Sequence, residues 1–157
     1  MFHTIKSIKP ICDELRQKGK KIVLATGFFD LLHAEHINFL KKAKISGDIL
    51  IVAVESDERA RITKGEGRPI DTQSIRCQKV LDYADYVIAL SPDFDHFEAY
   101  DDLMSAIRPQ VYAVSSHTSH QKTKNFLVEK YGGRLVVVHE FNPEISTTQI
   151  INNKNIN

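Results

Sequence analysis

Two histidines, His33 and His36, stand three residues apart where a helical pattern begins. They follow an apolar segment, residues 22–25, and Gly27, so this order predicts a strand, a glycine turn and the N-terminus of a helix. A helix N-terminus leaves unpaired N–H groups and about half a positive charge, and side chains at i and i+3 share one helix face. Phosphate groups are stabilised at such a terminus. The turn is therefore predicted to bind a nucleotide.

The elements that position this turn alternate between short apolar segments and longer helical ones. Strands are predicted at residues 22–25, 49–54, 86–90, 111–114 and 135–138, and helices at residues 7–18, 34–45, 72–82, 97–107, 119–131 and 147–152. Nearly continuous apolar strands are typical of parallel sheets that are covered on both faces. The predicted fold class is α/β, a Rossmann-like, doubly wound five-stranded parallel sheet with helices on both faces. Ligands are expected at the C-terminal ends of its strands.

Length and charge limit the function classes. A chain of 157 residues is the size of one domain, so we predict a single domain over residues 1–157, with a frayed Asn-rich tail at residues 152–157. The formal charge of +1 gives no global field for nucleic acid or membrane surfaces, and neither is expected as a partner.

Cys12 and Cys77 do not suggest a disulfide framework. With no signal-like or membrane-spanning segment, the expected location is the cytoplasm.

Two common nucleotide-binding signatures are absent from the sequence. Neither G-x-G-x-x-G nor G-x-x-x-x-G-K-[ST] occurs, which argues against a dehydrogenase and a Walker-type ATPase. The glycine turn, the histidine pair, the basic loop at residues 64–69 and the Ser-Thr-Thr at residues 146–148 remain. Together they resemble the cytidylyltransferase-like nucleotidyltransferases, above all the bacterial heptose-phosphate adenylyltransferase domain, and more distantly glycerol-phosphate cytidylyltransferases. The resemblance covers residues 11–151 in the family's motif order.

This resemblance implies roles for the residues that match the family's motifs. His33 and His36 match the histidines of the H-x-G-H signature, which bind the triphosphate and stabilise the transition state. With Lys64 of the K-G-x-x-R-P loop they are the catalytic candidates. The implied nucleotide-binding residues are Thr26, Gly27, Phe28, Phe29, Asp30, His33, His36, Arg76, Ser146, Thr147 and Thr148. The implied substrate-binding residues are Asp30, Lys64, Arg68, Ser115, Ser116 and His117.

The implied reaction transfers a nucleoside monophosphate from ATP, or from CTP, to a phosphorylated small molecule and releases pyrophosphate. A sugar phosphate is the favoured acceptor, and ATP is favoured because the Lys64 loop resembles the heptose-type members. Mg²⁺ is expected to enter with the triphosphate, without a protein metal site. By analogy with relatives, we also expect a homodimer and, if the acceptor is a heptose, a role in cell-surface polysaccharide synthesis.

Two positions depart from the family's pattern. Glu35 replaces the glycine of H-x-G-H and adds bulk and negative charge beside a polyphosphate; it could face solvent, hold a histidine protonated or contact the ribose. Residues 114–120 lack the lysine and aspartate that help to form the acceptor pocket of heptose-type members. One alternative is therefore a degenerate paralogue that only binds nucleotide or regulates. A metal-dependent hydrolase using His33 and His36, or His117 and His120, is a further alternative.

Overall fold

The computed structural model describes residues 2–142 and 144–155 and contains five strands and seven helices there. The strands are β1 (Ile22–Gly27), β2 (Ile49–Val54), β3 (Tyr86–Ala89), β4 (Val111–Ser115) and β5 (Arg134–His139). The helices are α1 (Ile5–Gln17), α2 (Ala34–Lys44), α3 (Asp57–Lys64), α4 (Gln73–Val80), α5 (Phe97–Ile107), α6 (Gln121–Lys130) and α7 (Thr147–Asn155). No helix among these residues is long and apolar enough to span a bilayer.

The five strands form one parallel sheet in the order β3-β2-β1-β4-β5. The chain winds outward from β1 to β3 and then crosses back to place β4 on the other side of β1. This reversal leaves a crevice outside the carboxyl ends of β1 and β4, which is where ligands bind in open α/β sheets. The predicted fold class is confirmed, and the predicted nucleotide turn lies at the reversal.

Alternating side chains of the strands build a separate core on each face of the sheet. On one face, Leu24, Ile51 and Tyr112 pack with apolar residues of α1, α5 and α6. On the other face, Val23 and Val52 pack with apolar residues of α2 and α4. Each of the two cores includes almost entirely buried residues from β1, β2 and β4. β2 is apolar at every position, and β1 and β4 are largely apolar until their C-terminal ends, because helices cover both faces of the sheet.

Helix α3 was not predicted, since only Ala60 among its residues is buried and no apolar stripe marks it. Its start has a local explanation: the Ser56 hydroxyl accepts a hydrogen bond from the Arg59 N–H at 3.1 Å, and acidic residues occupy the first turn. At the C-terminus, α7 continues to Asn155 rather than ending at Asn152. Residues 156–157 of the predicted tail lie outside the described residues.

Candidate active site

A cavity of about 420 Å³ occupies the crevice between the ends of β1 and β4. We call it the first cavity. Most of the sequence-predicted site residues line it: Thr26, Gly27, Phe28, Phe29, Asp30, His33, His36, Lys64, Arg68, Ser115, His117, Ser146, Thr147 and Thr148. These residues come from five separate parts of the chain. The fold therefore brings together the glycine turn, the histidine pair, the basic loop and the Ser-Thr-Thr segment.

The turn after β1 is shaped by close packing of Phe29 against Gly27. A Cβ atom at Gly27 would lie 3.0 Å from Phe29 Cε2, so a side chain here would displace the buried ring. Phe29 itself has a φ of 54° and Leu31 a φ of 45°, both in the left-handed region that L-residues seldom adopt. The Phe29 ring also meets the His36 ring edge to face, with centroids 5.6 Å apart. This packing positions the histidine pair.

The two histidine rings stack on each other with centroids 3.8 Å apart. His33 is the N-cap of α2, and its backbone N–H donates to His36 Nδ1 at 3.4 Å. A neutral His36 ring that accepts at Nδ1 carries its proton on Nε2. One ring nitrogen of the pair, His33 Nδ1, is buried and without a hydrogen-bond partner among the described residues. It lies at a helix N-terminus, where an anion could supply that partner.

Both histidines are disposed to be neutral when the cavity holds no anion. Burial lowers the pKa of His36 to about 3, and the neighbouring His33 adds to this effect. Burial also lowers the pKa of His33, although Glu35 opposes the shift. Two stacked imidazolium rings would repel each other, so polyphosphate charge is what would favour their protonation.

Asp30 lines the first cavity and uses its carboxylate to hold the basic loop. Its carboxylate accepts hydrogen bonds from the backbone N–H groups of Ile70 at 3.0 Å and Asp71 at 2.9 Å, and it pairs with Arg68 Nε at 3.0 Å. Burial opposes ionisation, but these bonds outweigh it and lower the pKa of Asp30. The carboxylate, 3% exposed, is fully occupied. Asp30 therefore fixes the position of Arg68.

The Ser-Thr-Thr segment joins α7 to the same loop. The Ser146 hydroxyl caps α7 by accepting from the Gln149 N–H at 3.1 Å. Thr147 Oγ1 donates to the Asp30 carbonyl at 2.6 Å, and Thr148 Oγ1 accepts from Arg68 Nη1 at 3.3 Å. A second helix N-terminus thereby opens onto the first cavity beside an arginine. The cavity is therefore suited to several phosphate groups.

Glu35 turns toward β5 and is held there by partners distant in sequence. Its Oε2 lies 2.8 Å from His139 Nε2 and accepts from the Asn142 N–H at 3.0 Å. Lys42 Nζ donates to His139 Nδ1 at 3.0 Å, which leaves the His139 proton on Nε2 to donate to Glu35. These bonds, the His139 bond first, lower the pKa of Glu35. Of the three predicted orientations, contact with a histidine comes nearest to what the structure shows, but the histidine is His139 at the end of β5 and not His33 or His36.

The remaining predicted residues occupy different positions. Lys64 ends α3 and places Nζ 5.6 Å from the centroid of the Phe28 ring. Thr26 Oγ1 and Tyr112 Oη share a hydrogen bond of 2.8 Å. His117 stacks on Phe141 with centroids 4.4 Å apart. Ser116 does not line the first cavity; its hydroxyl accepts from the Phe141 N–H at 2.7 Å and ties the β4 and β5 ends together.

Arg76 is not brought to the first cavity. Its side chain is fully buried, and its guanidinium donates to the carbonyls of Phe28 at 2.5 Å, Glu55 at 2.8 Å and Asp71 at 3.1 Å, and to Asp57 Oδ1 at 2.7 Å. These groups belong to the turns after β1 and β2 and to the segment before α4. In this structure Arg76 stabilises the turn after β1 through the Phe28 carbonyl and does not line the first cavity.

Sequence reasoning missed several residues that line the site. Glu35 was noticed, but its partner His139 and the neighbouring Phe141 were not, although both follow a predicted strand end where ligands were expected. Glu55, directly after β2, gave the same signal and was also missed; it lines an adjoining cavity rather than the first one. Among the described residues, no group of three or more His, Cys, Asp or Glu side chains could hold a metal ion.

A family model and several known proteins match this chain. The cytidylyltransferase-like family model matches residues 24–153. The "Bifunctional protein HldE" of Desulfatibacillum aliphaticivorans is 34% identical over 94% of this chain and 29% of its own length; that of Wolinella succinogenes is 44% identical over 67% of this chain and 22% of its own. This chain thus spans less than a third of these relatives.

Solved structures give a similar result. The lipopolysaccharide core biosynthesis protein from Thermoplasma volcanium superposes with a TM-score of 0.61 at 26% identity, over 79% of this chain and 98% of that one. The pantoate-beta-alanine ligase from Francisella tularensis has the same TM-score at 16% identity, over 98% of this chain and 76% of that one, and shows the shared fold only. The family predicted from the motifs is confirmed: this chain belongs to the cytidylyltransferase-like family of nucleotidyltransferases.

Proposed function

We propose that this chain transfers a nucleoside monophosphate, by preference adenylyl from ATP, to a phosphorylated sugar and releases pyrophosphate. The observation that carries the proposal is the first cavity, where two helix N-termini, a histidine pair, Lys64 and Arg68 surround one space. The acceptor phosphate is ionised at neutral pH and needs no strong base to attack the α-phosphorus. The bond from that phosphorus to the pyrophosphate oxygen breaks as the new one forms. Charge stabilisation is then the main task of the protein.

The chain's own groups are suited to that task. His33 and His36 would donate to the polyphosphate from the α2 terminus, and Arg68 would do so beside α7. The carboxylates among the first-cavity residues, Asp30 and Glu35, are both occupied by N–H donors. They therefore do not form a carboxylate cage, and Mg²⁺ would be held by phosphate oxygens and water. When bound, it would neutralise part of the phosphate charge.

The heptose-type relatives make a heptose phosphate the first acceptor to test. The HldE relatives and the lipopolysaccharide core biosynthesis protein support this choice. A different acceptor is suggested by residues 114–120, which lack the acceptor lysine and aspartate of the heptose-type pattern.

A degenerate, binding-only paralogue is the second candidate, and Glu35 is the observation that favours it. The carboxylate lines the first cavity and brings negative charge close to the phosphate site. Its bonds to His139 and the Asn142 N–H hold it toward β5, which favours the enzyme over this alternative.

Calorimetric titration with Mg-ATP and Mg-CTP tests the proposal, with the native chain and Glu35→Gly compared in parallel. Binding by the native chain, followed by pyrophosphate release with a sugar phosphate, would support the enzyme. In that assay His33→Ala and His36→Ala should each reduce turnover about a hundredfold, an effect on the order of 3 kcal/mol. If only Glu35→Gly binds nucleotide, the native chain is not the enzyme proposed here.

A further inference from the structure

A second cavity of about 720 Å³ adjoins the first one and extends between α3, α5 and α6. The two share Thr26, Gly27, Phe28, Lys64, Ser115, His117 and Thr118, which form their junction. If the first cavity holds the triphosphate, an acceptor phosphate must reach the α-phosphorus through this junction. The rest of the acceptor then lies in the second cavity. This step rests on the proposed function.

The far wall of the second cavity contains a carboxylate with an unused oxygen. Glu55 follows β2 and is 7% exposed. Its Oε1 accepts from Tyr100 Oη at 3.3 Å, whereas its Oε2 has no hydrogen-bond partner within residues 2–142 and 144–155. Burial raises the pKa of Glu55, while Arg59 opposes that shift. A buried acceptor without a donor is costly, which indicates that a partner is supplied from elsewhere.

Two cations face the same space without pairing with Glu55. Arg59, on α3, has a buried Nε that lacks an acceptor in the part of the chain that the structure describes. Lys124, on α6, donates to Thr118 Oγ1 at 2.7 Å. No ion pair joins either of them to Glu55 among the described residues, whose ten ion pairs involve other side chains. An unused acceptor and an unused donor therefore border one cavity.

We propose that Glu55 and Arg59 bind hydroxyl groups of the acceptor and thereby select a polyhydroxylated phosphate. A hydroxyl donates one hydrogen bond and accepts others, so it satisfies a carboxylate and a guanidinium at once. An alkyl chain would leave both unsatisfied, and a second anionic group would meet the Glu55 charge. Side-chain rotamers commonly change on binding, and a small change here would turn both atoms toward a ligand. Lys124 is a further donor along the same wall.

The test measures pyrophosphate release from Mg-ATP or Mg-CTP with three probe acceptors: a heptose phosphate, glycerol phosphate and phosphoethanolamine, which has no hydroxyl. Glu55→Gln and Arg59→Met should each raise the KM of a hydroxylated acceptor about tenfold or more. Nucleotide affinity should stay unchanged. Glu58→Gln and Arg61→Met are matched controls, since both side chains are exposed on the same helix and line neither cavity. These controls should behave as the native chain does.

Other outcomes separate the two proposals. Equal acceptor KM values for the native chain and both variants, or a preference for phosphoethanolamine, would overturn the role of Glu55 and Arg59. Where no probe turns over, calorimetry with a non-transferable ATP analogue and each probe decides. Nucleotide binding without binding of either hydroxylated probe rejects this inference. Absence of nucleotide binding rejects the proposed function itself.

Discussion

His36 combines a buried ring with a position at the proposed phosphate site, so its protonation should depend on whether an anion is bound. Its pKa of about 3 lies well below the 6.5 of an unperturbed histidine. The folded chain therefore resists a proton that the unfolded chain accepts below pH 6.5. Stability conferred by the neutral ring is present above pH 6.5 and is lost progressively as the pH falls toward 3.

His36→Gln should reduce this pH dependence. Between pH 6.5 and 5 the free energy of unfolding of the native chain should fall by about 1.5 kcal/mol more than that of the variant, from 1.36 kcal/mol per pKa unit. Denaturant titrations across that range measure the difference. Most carboxylates stay ionised there, so they contribute little to it. Parallel pH profiles for the two proteins would contradict the assigned environment of His36.

Glu35 replaces a glycine of the family signature, and in this structure its carboxylate forms hydrogen bonds with His139 and the Asn142 N–H. Glu35→Gly should lower the free energy of unfolding by about 1–3 kcal/mol, because it removes an acceptor from His139 and from the Asn142 N–H and adds a flexible residue to the first turn of α2. Chemical unfolding measures this loss. Glu140→Gly is a control at an exposed position and should cost less. Equal losses would show that the Glu35 contacts contribute nothing.

At the scale of elements, the site depends on hydrogen bonds that join the turns after β1 and β2 to each other and to the segment before α4. Arg76 in α4 ties the turn after β1 to the turn after β2 and to the segment before α4. Asp30 fixes the basic loop, and Thr147 fastens α7 to the Asp30 carbonyl. The groups proposed to bind phosphate are thus held in place by the hydrogen bonds of Arg76, Asp30 and Thr147. Precise placement of donors depends on such support.

Arg76→Met tests this support. Loss of a buried guanidinium leaves three carbonyls and Asp57 without their donor, and the free energy of unfolding should fall by about 3 kcal/mol or more. Lys79→Met, on the same helix, removes only a partly exposed ion pair with Asp71 and should cost less than about 1 kcal/mol. Urea titrations of both variants give the comparison. Similar losses in the two would mean that Arg76 has no special role.

At the scale of the whole molecule, the first cavity exists only when distant segments meet. Its lining residues range from Thr26 to Thr148, so the unfolded chain offers no equivalent site. Nucleotide binding should therefore stabilise the fold by mass action. The two cavities also meet at the strand reversal, which places the proposed nucleotide and acceptor sites next to each other along one sheet edge.

Mg-ATP at about a hundred times its Kd should raise the free energy of unfolding by about 2.7 kcal/mol. Equilibrium unfolding with and without nucleotide measures this increase. The combined His33→Ala and His36→Ala variant should gain much less at the same nucleotide concentration, since its phosphate site lacks both rings. An equal gain in that variant would place the nucleotide elsewhere.

Local patterns in the sequence determined much of this protein. The strand, glycine turn and helix around Gly27 are encoded by neighbouring residues, as are the alternating apolar segments and the cap at Ser146, so the fold class and the family could be predicted. Helix α3 could not, because it buries only Ala60 and has no apolar periodicity. Chain order and periodicity specify elements that form through contacts a few residues apart.

The tertiary structure alone decided what the polar side chains touch. Glu35 meets His139 104 positions along the chain, and Arg68 meets Thr148 80 positions along. Arg76 matched a nucleotide-binding motif yet is enclosed among carbonyls. Glu55, Arg59 and Lys124 line one cavity from the turn after β2, from α3 and from α6. These contacts depend on two conditions: the strand ends that lie side by side at the sheet edge, and the requirement that buried polar groups form hydrogen bonds. Neither condition can be evaluated along a single stretch of sequence.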